Sequence, residues 1–344
     1  MNIQENVKLG PLTTLEVGGP ARFFVEAETE NDIIDAFEFA HSINVPVFVL
    51  GGGSNVVVSD DGFAGLVIHV RLKGIHIDGA QVNASAGEDW DSLVKRCVDS
   101  GISGVECLSG IPGTVGGTPV QNVGAYGQEV SETISVVRCF DRQRRKVIEI
   151  SNGACRFSYR TSIFNTVERD HHVVLSVSYC MTQDGPPKIA YKDLIDHFDG
   201  HQASLSEVRD AVLSIRRSKS MVIDPIDENR RSAGSFFKNP LVTHKRFDEI
   251  ASEWSGTIPH FAAPDDMIKV PAAWLIEQAG YQKGYFKGNV GISTKHTLAI
   301  INRGGATAAE IISFKNDIQA AVSEKFDIDL VPEPNFIGSF GAKH

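Results

Sequence analysis

Two glycine-dense stretches are the residues of this chain best suited to hold a ligand with bare backbone. Residues 109–130, SGIPGTVGGTPVQNVGAYGQEV, carry six glycines and two prolines in 22 positions and no lysine, arginine or histidine. A shorter stretch, GGGSN, spans 51–55 directly after the apolar run PVFVL. Glycine lets the backbone approach a ligand closely and adopt positive φ. Successive N–H groups turned into one concavity then hold an anion without a cation. Two such loops predict a diphosphate clamped from two sides. A lone GGG would read as a tight turn. The pair, with Ser54, Asn55, Thr114 and Asn122 among the glycines, favours binding. Neither GxxxxGK[ST] nor a GxGxxG after the first strand is present, so a Walker A loop and the usual dinucleotide fingerprint are both excluded.

Other side chains are candidates for acid–base and charge work. CRFSYRTSIF offers Arg156 and Arg160. A guanidinium grips a carboxylate through a two-pronged fork and stays charged. Four residues along an expected strand leave both arginines on one face, so alternation does not choose between them. Ser235 in AGSFFKNP reads, by itself, as a loop or cap serine, and without a G-x-S-x-G elbow an esterase is unsupported. Glu333 lies between two prolines in VPEPN, which restrict the backbone and can present its carboxyl in a fixed direction. The ordinary alternative is an exposed glutamate on a terminal strand. His171 and His172 lack HExxH or other metal-like spacing, so no metal site is expected.

The elements that must position these groups follow from periodicity. ARFFVEA (21–27) and PVFVL (46–50) read as strands, as do ISVVRCFD, KVIEI and HHVVLSVSYCM. Capping-box patterns at Thr29–Asp32, Ser204–Glu207 and Thr307–Glu310 each open a helix. A helix near 88–100 places Trp90, Leu93, Val94 and Cys97 on one side and stops at Gly101. Pro271 and Gly280 bracket another. The pattern is mixed α+β, not a regular alternation of parallel strands and helices. MVIDPIDENRRSAG (221–234) is a turn-rich junction.

Composition bounds the partners. The chain has 344 residues, 42% of them apolar, and a formal charge of −10. Nucleic-acid binding, which needs a basic face, is not expected. The one basic run, DRQRRKV, reads as a solvated hairpin turn. Five cysteines without a CxxC pair fit buried, unpaired thiols in a reducing compartment. MNIQENVKLGPL has no signal-peptide core and no stretch is long enough to span a membrane, so a cytoplasmic location is expected.

LGGGSNVVVSD followed by SGIPGTVGGTPVQNVGAYGQEV resembles the flavin-binding half of the UDP-N-acetylenolpyruvoylglucosamine reductase (MurB) family, and YRTSIF and AGSFFKNP narrow the match. It runs from about Leu12 to Gly338. The resemblance implies an α+β chain: a vanillyl-alcohol-oxidase/PCMH-type FAD-binding fold in two lobes (1–70 and 71–220), then a C-terminal α+β substrate-binding domain (221–330), with 331–344 returning toward the flavin lobes. It implies that Gly51, Gly52, Gly53, Ser54, Asn55, Ile111, Pro112, Gly113, Gly116, Gly117, Gln121, Asn122, Gly124, Ala125 and Tyr126 hold FAD. Neither glycine loop offers a histidine or cysteine for covalent attachment.

The activity implied is NADPH-dependent reduction of UDP-N-acetylglucosamine enolpyruvate to UDP-N-acetylmuramate for peptidoglycan synthesis. NADPH gives a hydride to FAD, and the reduced flavin gives it to the enolpyruvyl methylene carbon. Charge then builds on the substrate carboxylate, and the ether-bearing carbon needs a proton. By the resemblance Arg160 is the cation and Ser235 the proton donor. Lys219 is the neighbour that helps the hydroxyl, with Lys238 as an alternative. Glu333 would be a hydrogen-bond donor whose pKa rises beside the substrate carboxylate. Tyr191, Asn239, Phe261 and His296, with Lys219, match substrate-pocket positions, and NADPH and the sugar would use one pocket in turn. Two positions depart from the pattern. Pro334 follows Glu333 where a β-branched apolar residue is expected, and Phe261 stands where a tyrosine is expected.

Overall fold

The computed structural model describes residues 1–340. Contacts divide them into two units, one of Met1–Lys8, Pro20–Gly53 and Phe63–Ile223, the other of Leu9–Gly19, Ser54–Gly62 and the chain from Asp224 onward. The break at Ile223 and Asp224 lies inside the turn-rich stretch 221–234.

The first unit is built on two sheets. One orders Gln4–Lys8, Pro20–Ala27, Phe63–Val70 and Val47–Leu50, antiparallel at the first pair and parallel at the other two. Phe63–Val70 buries every residue from Gly65 to Val70, as a strand covered on both faces does, whereas Pro20–Ala27 leaves Arg22 and Glu26 exposed. The helix Glu30–Ser42 buries Ile33, Ala36 and Ala40 in the same core, and Thr29 and Asp32 form the expected capping box. The other sheet is antiparallel throughout: Lys146–Ser151, Ile134–Asp141, His172–Cys180, Gln81–Ser85, Ile75–Asp78. The first two strands enclose the basic run, whose turn Asp141 closes by accepting from the amides of Gln143 and Arg144 at 2.9 and 2.8 Å.

Trp90, Leu93, Val94 and Cys97 of the helix Trp90–Asp99 join this core. Trp90 and Tyr179 are its largest fully buried side chains. The Tyr179 hydroxyl lies 3.2 Å from Thr118 Oγ1, which fastens the end of the second glycine loop to the sheet. The helix Leu205–Ser218 opens at the predicted Ser204–Glu207 box.

The second unit has three small sheets: Leu241–Thr243, Met267–Lys269 and Phe261–Ala263; Phe286–Lys287, Val290–Ile292 and Ile300–Asn302; and Asn335–Ile337 parallel to Val56–Val58. The long helix Ala308–Phe326 packs Ile311, Phe314, Ile318 and Val322 against Phe236, Phe237, Ile292 and Ile300. Thr307 and Glu310 cap it, and the Asp60 carboxylate accepts from the Ala308 and Ala309 amides at 2.8 and 2.9 Å, an anion at the positive end of a helix.

Two expectations are corrected. The segment bearing Arg156 and Arg160 is no strand. Asn152–Cys155 is a 3₁₀ turn, Arg156 ends it at φ 49°, and Arg160 sits at φ 55°. Cys180 is exposed, whereas the other four cysteines are buried. Burial pushes the Cys97 and Cys107 thiols up to about 12, so both stay protonated and inert. Among the described residues no helix is long and apolar enough to cross a membrane, and no group of histidines, cysteines and carboxylates could hold a metal.

Candidate active site

In the first unit the two glycine loops meet. A Cβ on Gly52 would lie 2.7 Å from Gly113 Cα, and one on Gly51 would lie 2.9 Å from Thr114 Oγ1. Gly53 and Gly113 adopt φ of 66° and 122°, which L side chains resist. A Cβ on Gly117 would meet nothing within 4 Å, so the wall is open on that side.

Polar anchors fix the second loop. Asp91 accepts from the Gly110 amide at 2.6 Å and takes a bidentate grip from Arg209 at 2.7 and 2.8 Å. Burial opposes the Asp91 charge, but these donors outweigh it and hold the carboxyl below its usual range. Val115 and Gly116 donate to Glu88 and Ala86 at 2.9 Å each. The Gly110, Val115 and Gly116 amides are thus taken by protein acceptors, and the two loops approach backbone to backbone at Gly52 and Gly113. Adding a methyl at Gly52 forces backbone against backbone, a strain of about 1–3 kcal/mol. Gly52→Ala is therefore expected to weaken FAD retention by at least about fivefold, read by flavin absorbance after gel filtration. Full retention would mean the close approach of the loops is not needed.

The hairpin of Gly124–Ala125 and Gln128–Glu129 follows. Its two-residue turn puts Tyr126 at φ 48° and Gly127 at φ 81°, the pattern that matches strand twist. Asn122, buried at φ 45°, donates to Glu129 Oε2 (2.7 Å) and the Ser158 carbonyl (3.1 Å) and accepts from the Ser131 amide (3.1 Å), which pins the hairpin's base.

Arg160 Nη2 donates to the Gly124 carbonyl at 2.8 Å. A Cβ on Gly124 would stand 2.8 Å from Glu129 Cγ and 3.0 Å from the Gln128 carbonyl, so the hairpin itself requires a glycine beside the guanidinium. The structure thus separates the two arginines: Arg156 is exposed, and Arg160 is tucked against the hairpin.

Tyr126 meets Tyr191 edge to face at 5.5 Å, and Lys219 Nζ lies 6.0 Å over the Tyr126 ring. Lys219 donates to Asp193 Oδ2 at 2.7 Å. Burial works against the Lys219 charge, but Asp193 more than offsets it, so the ammonium is held above its usual range. Burial also pushes the Tyr126 phenol up. Asp193 and the buried Arg216, whose charge acts on the Tyr126 phenol, were not foreseen.

A second polar group lies within the second unit. Residues 236–238 run antiparallel to 331–333: Phe237 bridges Pro332, Glu333 N donates to Phe236 O at 3.0 Å, and Lys238 N to Val331 O at 2.9 Å. Asn55 Nδ2 donates to Glu333 O at 3.3 Å, and the Asn335 amide donates to Asn55 O at 3.0 Å. Glu333 is thus held at both its N–H and its carbonyl, and Pro334, which has no N–H to satisfy, fits without a lost bond.

Ser235 Oγ is 3.4 Å from His296 Nε2. Ser293 Oγ steadies the histidine by accepting from its amide at 3.3 Å. Asn239 Oδ1 accepts from Ala272 N at 2.9 Å and caps the short helix Ala272–Gln278. Phe261 is exposed on an edge strand, with Lys269 Nζ 5.8 Å from its ring.

The fold of the first unit defines a class. Residues 21–151 match the FAD binding domain, and residues 224–337 match the UDP-N-acetylenolpyruvoylglucosamine reductase C-terminal domain. The chain has the vanillyl-alcohol-oxidase/PCMH-type flavin-binding fold with an added C-terminal domain. The UDP-N-acetylenolpyruvoylglucosamine reductase of Thermobifida fusca is 47% identical over 97% of this chain and 97% of its own. That of Streptomyces coelicolor is 42% identical over 96% and 89%. The crystal structure of the Thermus caldophilus reductase aligns with a TM-score of 0.69 at 25% identity, over 98% of this chain and 100% of that one. The chain belongs to the UDP-N-acetylenolpyruvoylglucosamine reductase family.

Proposed function

We propose that this chain reduces UDP-N-acetylglucosamine enolpyruvate to UDP-N-acetylmuramate in the cytoplasm, with NADPH as reductant and non-covalent FAD. The reading rests chiefly on one observation: a chain of this family pairs the backbone of the Ser235 segment with that of Glu333. FAD would be held by the backbone of Gly51–Gly53 and of residues 110–117, and when bound it supplies hydride transfer from NADPH to the enolpyruvyl methylene carbon.

The protein's own groups do the rest. The Arg160 guanidinium is the fixed cation for the substrate carboxylate as its charge grows. Glu333 is the second group at that carboxylate. Its own pKa rises there by like-charge repulsion, which lets it donate a hydrogen bond. Ser235 Oγ gives the proton to the ether-bearing carbon. His296, 3.4 Å away, is the titratable group beside that hydroxyl. Tyr191, Lys219, Asn239 and Phe261 bind the nucleotide-sugar. Residues 1–70 and 71–220 would serve the flavin and 221–330 the substrate.

An anaerobic single turnover tests this. The yellow protein should bleach with NADPH and recover its colour only on adding the enolpyruvyl sugar. Bleaching without recovery would assign another reducible substrate, an electron acceptor of different structure, to the same flavin fold. Use of one pocket in turn predicts that excess enolpyruvyl sugar inhibits competitively against NADPH in initial-rate measurements. Non-competitive inhibition would separate the two sites.

A further inference from the structure

Glu106 is fully buried, yet its carboxylate gathers three donors from three segments of the first unit. Oε2 accepts from the Gly104 amide at 2.7 Å; Oε1 accepts from Gln128 Nε2 at 2.9 Å and from the Lys188 amide at 2.8 Å. Its neighbour Cys107 completes the arrangement. The Cys107 amide donates to Gln128 Oε1 at 2.8 Å, and its thiol donates to the Lys188 carbonyl at 3.1 Å. Both backbone polar groups of Lys188 are therefore bound to one buried dipeptide. A buried carboxyl group is costly unless its oxygens are hydrogen-bonded, and here three donors reach them.

The two segments it ties carry the paired tyrosines. Gln128 lies in the hairpin whose turn holds Tyr126, and Lys188 lies three residues before Tyr191. A Cβ on Gly127 would stand 3.7 Å from Ala190 Cβ and 3.8 Å from the Tyr191 amide, so hairpin and strap touch. Tyr191 itself is 43% exposed, and the edge-to-face contact with Tyr126 is its ring partner. We infer that Glu106 is a positioning residue: through Gln128 and the Lys188 amide it sets where Tyr191 stands over the site. The effect on the sugar rests on the function proposed above; the anchoring does not.

Two variants test it on the flavin-loaded protein. Glu106→Leu keeps the bulk and removes the acceptors. Lys188→Pro removes the amide donor of the strap together with the exposed side-chain ion pair to Glu132, next to two residues that are already proline. Lys188→Gln is its control, because it keeps the amide and loses the same exposed ion pair with Glu132. In Glu106→Leu, hydrogen exchange in peptides covering 184–191 should quicken at least about tenfold, while His172–Cys180 stays protected. Lys188→Pro should raise KM for the enolpyruvyl sugar by about tenfold, with kcat within about twofold and FAD content unchanged; Lys188→Gln should do neither. Unaltered exchange in a folded Glu106→Leu overturns the anchor. Unaltered KM in Lys188→Pro, or an equal rise in Lys188→Gln, overturns the positioning role. If Glu106→Leu does not fold, the Lys188 pair decides. If the wild-type protein does not turn over the sugar, the proposed function fails and the exchange experiment still decides the anchor.

Discussion

Ser235→Ala is expected to leave bleaching of the flavin by NADPH within about twofold of wild type and to slow recovery of colour with the enolpyruvyl sugar by about 10³-fold, within the range that a positioned proton donor contributes. The two steps separate because they draw on different residues. Bleaching needs the flavin in place, and the proposed cradle for it is the backbone of the glycine loops. Recovery needs a proton at the ether-bearing carbon. A serine hydroxyl is a poor acid, so its surroundings must favour the loss of that proton. His296 Nε2 at 3.4 Å is the neighbour that the second unit supplies. Truncation to alanine removes one oxygen between two buried phenylalanine-bearing positions and a partly buried loop, so stability should barely change. Stopped-flow absorbance read on the two half-reactions separately is the measurement. Wild-type recovery in Ser235→Ala would remove the serine from the proton transfer and leave His296 or a bound water as the donor.

What could be read before the structure divides by the range of the interaction that creates it. Capping boxes at Thr29, Ser204 and Thr307 span three residues each, and all three form. The strands ARFFVEA and HHVVLSVSYCM announce themselves by apolar content, and both are central in their sheets. The edge strand Gln4–Lys8 is nearly all polar and exposed, so pattern alone passes over it. The glycine loops are visible as composition, but their meeting at Gly52 and Gly113 is a tertiary fact.

The candidate site shows the same division. Ser235 and His296 are 61 residues apart, and Asn55 is 278 residues from Glu333. No local rule links either pair. Lys219 and Asp193 are 26 apart and joined only by how two helices lie. The strand expected across Arg156 and Arg160 failed for a physical reason. Both residues take positive φ, a conformation that side-chain alternation cannot reveal. Pro334 looked like a departure that would disturb Glu333, yet the bonds from Glu333 N to Phe236 and from Asn55 to Glu333 O fix that residue without any donor at 334.

Arg160→Ala should be the other large loss. The carboxylate of the substrate gains charge as the methylene carbon is reduced, and a preorganised cation is worth most where charge develops. The guanidinium is preorganised here: Nη2 is fixed on the Gly124 carbonyl at 2.8 Å. Removal of one such donor group costs about 10²–10³ in rate. The recovery step with the enolpyruvyl sugar is expected to fall by that factor, while bleaching by NADPH changes little. Arg160→Lys should recover only part of the loss, since an ammonium cannot form the two-pronged grip. Arg156→Ala supplies the comparison. That residue is exposed and ends a 3₁₀ turn, so its removal should leave both steps within about twofold. Added guanidinium salt offers an independent check, because a charge missing from a preformed slot can be restored from solution. Rescue of Arg160→Ala, with none for Ser235→Ala, would locate the defect at the cation. Equal losses in Arg156→Ala and Arg160→Ala would instead mean that long-range charge, rather than a held fork, assists the reaction.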